Sequence, residues 1–294
     1  MTLRDKVVFI TGAARGIGAG LARETAARGA RVVLTGVETG ELEARANELG
    51  KPHIVVPCDV TDPAALEAAA QTAVEEFGGI DVVVANAGIA TYGTVEKGDA
   101  AAWLRTVDVN LHGVYHTARA TLPSLLARKG YFCGIASVAS YIPMPGSSSY
   151  GASKAGVESL VGALRLEVGH RGVDCGTAHP SWIDTDLVRE SDADLPAFRE
   201  RRASMPWPLG VTTDLDTCVR MITDGIEARR HRIHVPRSAG AIYWLRSLLG
   251  RLAASRRALR EAGEGVAQME ADIEKLGRAA SARTHEINQG SAGS

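Results

Sequence analysis

The sequence predicts an α/β fold: a doubly wound parallel sheet of about seven strands with helices on both faces, plus a C-terminal helical extension. Three observations carry that prediction. Short runs that are apolar throughout, as strands buried on both faces require, alternate with stretches of helical period. Glycine is abundant, with 32 residues, and aromatics make up only 5%, which suits tight turns and an interior of small aliphatic side chains. The chain has 294 residues and is 45% apolar, enough for one large packed core.

The elements follow in order. Val7-Val8-Phe9-Ile10 is the first apolar run and ends at glycines, and Gly16 to Arg28 continues at helical period. Arg31 to Thr35 is the second run, followed by a helical Gly40–Leu49. Ile54 to Pro57 precedes an alanine-rich helical stretch from Pro63 to Phe77, and Asp81 to Ala85 repeats the strand signal. The same beat runs through Tyr131–Ala136 and Val173–Ala178 and ends at Ile233–Val235. Residues 1–237 therefore read as one domain. Beyond it the composition changes. Between Ala228 and Arg260 there is no Asp or Glu but nine arginines, and Ile242, Leu245, Leu249, Leu252 and Leu259 recur at helical spacing. Val266, Met269, Ile273 and Leu276 extend the period, so residues 238–294 are expected to be helical, with a disordered tail over the last ten or so. Three readings of this extension stand open. It is a membrane-surface helix with Trp244 and leucines opposite arginines, an arm that packs on a neighbouring subunit, or a partly ordered solvated helix.

A net charge of −1 excludes bulk electrostatics as a route to nucleic acid. Cys58, Cys133, Cys175 and Cys218 form no CxxC pair and sit in apolar or mixed segments, as buried thiols in a reducing compartment do. No stretch approaches the roughly 18–20 apolar residues of a membrane span, and the N-terminus lacks a signal-peptide core. A cytoplasmic protein is expected. No His, Cys, Asp or Glu cluster has metal-ligand spacing, so no metal is expected.

Two motifs carry chemistry. Thr11-Gly12-Ala13-Ala14-Arg15-Gly16-Ile17-Gly18 joins the first strand to the first helix. Glycines there let the chain turn sharply and let the backbone approach a diphosphate, which the helix N-terminus then attracts. Tyr150 and Lys154 are four residues apart, on one helix face. A free tyrosine, with a pKa near 10, is a poor base at neutral pH; a neighbouring ammonium favours the phenolate and readies it for proton transfer at a carbonyl or alcohol oxygen. Ser137 closes the strand that begins at Tyr131 and can donate to that same oxygen.

The GxxxGxG spacing, Asn86-Ala87-Gly88 after the fourth run and Tyr150-Gly151-Ala152-Ser153-Lys154 together resemble the short-chain dehydrogenase/reductase family over roughly residues 4–237. The resemblance implies a Rossmann domain and an NAD(P)-dependent oxidoreductase interconverting a secondary alcohol and a ketone. It implies catalysis by Asn110, Ser137, Tyr150 and Lys154, with Asn110 opening a helix and holding a water that extends a proton relay. Cofactor contacts are implied for Gly12, Arg15, Gly16, Ile17, Gly18, the adenine pair Asp59-Val60, Asn86, Ala87, Gly88, Tyr150 and Lys154. Thr185, in His179-Pro180-Ser181-Trp182-Ile183-Asp184-Thr185, matches the residue that meets the carboxamide, although Ser181 replaces a glycine there. Ser137 and Tyr150 would hold the substrate oxygen. The end of the second strand, Thr35-Gly36, lacks the acidic residue that selects NAD, and Glu38 stands two residues on. Arg15 suits a 2′-phosphate, which favours NADP over NAD.

The segment from Asp186 to Gly210 reads as a mobile lid, whose Met205 and Trp207 would line an apolar pocket with Tyr141, Ile142, Pro143 and Met144. A bulky apolar alcohol or ketone is expected. A 3-oxoacyl-[acyl-carrier-protein] reductase is the alternative, with Arg229, Arg230 and Arg232 as a docking patch. A non-catalytic dinucleotide-dependent binding protein is the alternative of another class. A homodimer or homotetramer is implied, built on the helix of Tyr150 and the one before it, with small residues Ala152, Ala155, Gly156 and Gly162 at the contact.

Overall fold

In the computed structural model, residues 1–50, 52–205, 209–253 and 255–285 are described. The chain alternates β1 (Val7–Thr11), α1 (Gly16–Ala27), β2 (Arg31–Gly36), α2 (Thr39–Leu49), β3 (Ile54–Pro57), α3 (Pro63–Phe77) and β4 (Val82–Ala85). It continues with α4 (Ala100–Val107), α5 (Gly113–Arg128), β5 (Tyr131–Ile135), α6 (Ser148–Val168) and β6 (Asp174–Pro180). Then come β7 (Trp182–Ile183), α7 (Asp186–Asp194), α8 (Pro196–Ala203), β8 (Thr212–Thr213), α9 (Leu215–Glu227), β9 (Arg232–Val235), α10 (Ala239–Ala253) and α11 (Arg256–Leu276).

Seven strands form one parallel sheet in the order β3-β2-β1-β4-β5-β6-β9, as the apolar runs predict. Side chains alternate along each strand, and both faces are covered. Val7, Phe9, Val33 and Val83 pack with α3, α5 and α6, against Ala69, Val114 and Val157. Val8, Ile10, Val32 and Val84 pack with α1, α2 and α9, against Leu21, Leu42 and Ile222. The order reverses between β1 and β4, so the loops leaving these strands diverge and open a crevice at the sheet's C-terminal edge. Local signals hold the frame. Asp62 Oδ1 accepts from the N–H groups of Ala64 and Ala65 to cap α3. The Asp81 carboxylate accepts from the Val7 N–H and from Lys6 Nζ, tying β1 to β4.

The residues after 237 return to the body. α10 lays Ala239, Ile242, Tyr243 and Leu249 on Val138 and Tyr141, and turns Trp244, Leu245 and Leu248 outward. α11 packs on α8, and the segment after it reaches the end of α7. Asp272 Oδ2 accepts from the Ala197 N–H at 2.9 Å, Glu270 pairs with Lys97 at 2.7 Å, and Arg278 pairs with Asp194 at 2.7 Å. The Ala279 carbonyl accepts from the Tyr92 N–H at 2.7 Å. The extension thus straps the segments that follow β4 and β7. The expected tail falls largely on residues 286–294, outside the described residues. No helix among the described residues is long and apolar enough to cross a membrane. All four cysteines are buried and free.

Candidate active site

The turn between β1 and α1 is built for close approach. Gly12 has φ +65°, and a Cβ there would lie 2.8 Å from Ala87 Cα. A Cβ on Gly18 would lie 2.0 Å from the Gly12 carbonyl oxygen, so Gly18 serves the packing of the turn rather than its open face. Asn86 Nδ2 donates to the Thr11 and Gly12 carbonyls at 3.0 and 3.1 Å, and Thr11 Oγ1 accepts from the N–H groups of Asn86 and Ala87. The Asn86-Ala87-Gly88 segment is thereby locked to the turn. Arg15 precedes α1 without a side-chain cap, so the first N–H groups of the helix are left for a ligand.

Above the turn lies a cleft of about 230 Å³, lined by Gly12, Arg15, Gly16 and Ile17 at one wall and by Asp59, Val60, Asn86, Ala87 and Gly88 at the other. Glu38 and Thr185 complete it. Burial works against the Asp59 carboxylate, but hydrogen bonds from Thr61 and the Arg105 guanidinium at 2.9 Å hold it below the usual carboxylate range. Thr185 precedes α7 and is buried.

Tyr150 and Lys154 line this cleft, Asn110 stands behind Gly88, and Ser137 lies beside Tyr150 outside the cleft lining. Lys154 Nζ lies 5.6 Å from the Tyr150 ring centroid and donates to the Ile135 carbonyl at 2.8 Å. Ser137 follows β5 by two residues and interacts with the Tyr150 hydroxyl; its Oγ donates to the Pro180 carbonyl at 3.4 Å and accepts from the Ala139 N–H at 3.1 Å. Asn110 does not open a helix. It sits in a π turn, Asp108–His112, that runs α4 into α5 without a break. From there its Oδ1 accepts from the Ile89 N–H at 2.8 Å, and its Nδ2 donates to the Ile89 carbonyl at 2.9 Å and to Ser153 Oγ at 3.2 Å. Gly88 fits between Asn110 and Lys154, where a Cβ would be 3.2 and 3.3 Å from their polar atoms.

The sequence predicts a phenolate favoured by the neighbouring ammonium, and burial reverses that balance. Desolvation raises the Tyr150 hydroxyl above its ordinary value, with the Ser137 hydrogen bond opposing it only in part, and pushes the Lys154 ammonium down to about 8. In the chain alone, both groups are biased toward their neutral forms.

Tyr150 also lines a second cavity, of about 210 Å³, on the side away from the glycine turn. Its walls are mostly apolar: Val138, Ile142, Met144, Leu187, Phe198 and Leu209. Ile142, Pro143, Met144 and Met205 line it as the sequence predicts; Trp207 lies outside the described residues. Tyr141 does not line it. Its ring stacks on His179, with centroids 4.7 Å apart, and meets α10 through Tyr243. His179 is a packing residue, and burial takes its imidazole down to about 3.

Trp182 and Phe198, edge to face at 5.5 Å, and Tyr92, whose hydroxyl meets Ser191 Oγ at 2.5 Å, are pocket residues that the sequence motifs do not mark. The lid is two short helices, not an open loop. Met269 of α11 presses beneath it, its sulfur where a Cβ of Gly146 would otherwise sit. Gly156 is spent inside the chain rather than at a subunit contact, facing Leu111 at 2.8 Å from where its Cβ would be. Arg229 and Arg232 of the expected docking patch are paired with Asp174 and Glu158 of their own chain.

A family model described as short chain dehydrogenase matches residues 6–196. The chain is 33% identical over 190 residues to a 3-oxoacyl-[acyl-carrier-protein] reductase of Vibrio cholerae, covering 64% of this chain and 78% of that one. A short-chain dehydrogenase/reductase of Burkholderia phymatum, solved in complex with NAD, superposes with a TM-score of 0.75 at 26% identity, covering 87% of this chain and 97% of that one. An alcohol dehydrogenase of Thermococcus sibiricus, solved with 5-hydroxy-NADP, gives a TM-score of 0.66 at 26% identity, over 78% and 94%.

Proposed function

The chain belongs to the short-chain dehydrogenase/reductase family, and from that premise we propose that it interconverts a bulky apolar secondary alcohol and its ketone, with NADP as the preferred cofactor. One observation carries the reading. Tyr150 lines both cavities, with Lys154 on the cleft side and Ser137 on the pocket side.

The cleft fits a dinucleotide. Its turn admits no side chain at Gly12 or Gly18, and the uncapped start of α1 suits an anion. The nicotinamide supplies the carbon that gives or accepts hydride, and the chain's own residues do the rest. In reduction, Tyr150 Oη gives its proton to the carbonyl oxygen, a role for which its raised pKa keeps it protonated at neutral pH. Ser137 Oγ donates to the same oxygen as charge develops there. Lys154 favours the phenolate that remains and is placed to hold the ribose. Asn110 keeps Ile89 and Ser153 fixed around Lys154, the anchorage that a water relay would need. Oxidation runs the same transfers in reverse.

Gly36, at the end of β2, offers no carboxylate to a ribose hydroxyl, and Arg15 faces the cleft. Both features favour NADP. The walls of the second cavity favour an apolar substrate. Ala152, Ala155, Gly162 and Leu166 lie on the outer side of α6, exposed, and offer a face for a second copy in a homodimer or homotetramer.

Titration with NADPH and NADH, followed by nicotinamide fluorescence, tests the reading. Tighter binding of NADPH and turnover within a panel of apolar ketones are expected. Binding of neither nucleotide overturns it. Binding without turnover of any alcohol or ketone would make the chain a dinucleotide-dependent binding protein instead.

A further inference from the structure

A residue from far along the chain reaches the end of the cleft that Glu38 lines. Arg283 reaches α2 from the segment after α11. Its Nε donates to Glu38 Oε1 at 2.8 Å, its Nη2 lies 2.7 Å from the same oxygen, and Nη2 also pairs with Glu41. The other oxygen of Glu38, Oε2, lies 3.5 Å from Arg15 Nε. Glu38 therefore sits between two guanidinium groups and is held more closely by Arg283 than by Arg15.

Arg283 is not a loose end that happens to fall there. The Ala279 carbonyl accepts from the Tyr92 N–H, Ala280 forms a β-bridge with Thr91, and Ser281 and Thr284 are buried and hydrogen-bonded to each other at 3.1 Å. The four charged side chains, Arg15, Arg283, Glu38 and Glu41, sum to zero. Without Arg283 the cluster would carry one net negative charge, and Glu38, which already lines the edge of the cleft, would be free to turn further in. A carboxylate there accepts from a ribose hydroxyl and repels a phosphate.

We propose that Arg283 is a positioning residue for cofactor choice. By drawing Glu38 toward α2, it weakens the hold of that carboxylate on Arg15 and on a ribose hydroxyl, and so favours pairing of Arg15 with the 2′-phosphate of NADP. Arg283 acts through Glu38 and does not itself line the cleft. The inference rests on reading the cleft as a dinucleotide site. It concerns the ratio of the two affinities, so it stands apart from which nucleotide the unaltered chain prefers.

The test is fluorescence titration of the full chain with NADPH and NADH, for the parent, Arg283→Gln, Glu38→Gln and the double variant. Arg283→Gln is expected to move the affinity ratio toward NADH by tenfold or more. Glu38→Gln is expected to move it toward NADPH. In the double variant the loss of Arg283 should have little further effect, because the carboxylate it restrains is gone; a merely structural role would not produce that suppression. An unchanged ratio in both single variants overturns the inference while leaving the dinucleotide site intact. Should Arg283→Gln fail to fold, an unchanged ratio in Glu38→Gln overturns it alone. Binding of neither nucleotide by the parent overturns the site reading and this inference with it.

Discussion

The two cavities that meet at Tyr150 are built by different means. The cleft over the glycine turn is shaped by backbone. Gly12, Gly18 and Gly88 set how closely its walls approach, and Asn86 and Thr11 fix those walls by hydrogen bonds to main-chain groups. The second cavity is shaped by side chains on short helices. Phe198, Leu187 and Met144 face each other across it, and α11 presses from outside. Backbone walls tolerate almost no substitution and serve one ligand shape. Side-chain walls can change residue by residue while the sheet stays as it is. The two cavities are thus shaped by separate means, and Tyr150 shares their common wall with Ser181, Leu187 and Val188.

That separation can be broken in graded ways. The largest effect is expected at the seam. Tyr150→Phe should lower turnover by about 10³-fold, within the usual range for general acid–base catalysis, while the dissociation constants of NADPH and substrate stay within about twofold. Turnover near the parent level would show that another group moves the proton. Next is the backbone side. Gly18→Ala places a methyl group against the Gly12 carbonyl. It should weaken nucleotide binding about 100-fold, on the order of 3 kcal/mol, with the apolar cavity still able to take an environment-sensitive fluorescent dye. Parent-like nucleotide binding would mean that the turn is not the phosphate site.

The pH dependence sharpens the comparison from the cleft side. Lys154 is charged below about 8 and neutral above it, and Tyr150 stays protonated past its ordinary range. Reduction needs both protons, so kcat/KM for a ketone should hold at neutral pH and fall about tenfold per unit above about 8. A profile flat to pH 10 removes Lys154 from the proton balance. The smallest effect belongs to the side-chain wall. Phe198→Ala should raise KM for a bulky ketone by about tenfold, the scale of a few lost apolar contacts, and leave the NADPH dissociation constant unchanged. A loss of NADPH affinity in this variant would show that the two cavities are coupled through the wall they share.

How much of this is legible in the sequence follows the same division. The backbone cleft is legible because glycine spacing and strand–turn–helix order translate directly into geometry. Gly12, Asn86, Tyr150 and Lys154 all stand where the motifs put them. The side-chain cavity is legible only in part. Met144 falls near Tyr150 in sequence, and Met205 lies on the segment that reads as a lid; both line the cavity. Trp182 and Phe198 become neighbours only once the lid folds as two helices, and no period announces that. Tyr141 sits beside the pocket in sequence but turns away, because His179, His234 and Tyr243 offer its ring a buried stack. The protonation of Tyr150 is misjudged from its spacing to Lys154, because spacing reports proximity and not burial. Arg283 and Glu38 lie 245 residues apart, and nothing local to either predicts their meeting.

The strap formed by α11 and the segment after it has a consequence for how the protein meets its solution. Its ion pairs, Glu270 with Lys97, Arg278 with Asp194 and Arg283 with Glu38, are partly exposed, and each alone contributes about 1 kcal/mol or less. They are carried on one continuous segment, so the first to form raises the effective concentration of the others. Added salt screens all of them together, and the loss compounds as the association did. Ionic strength therefore acts on the two helices of the lid and on the end of the cleft at Glu38 at once, as a tether that slackens along its whole length.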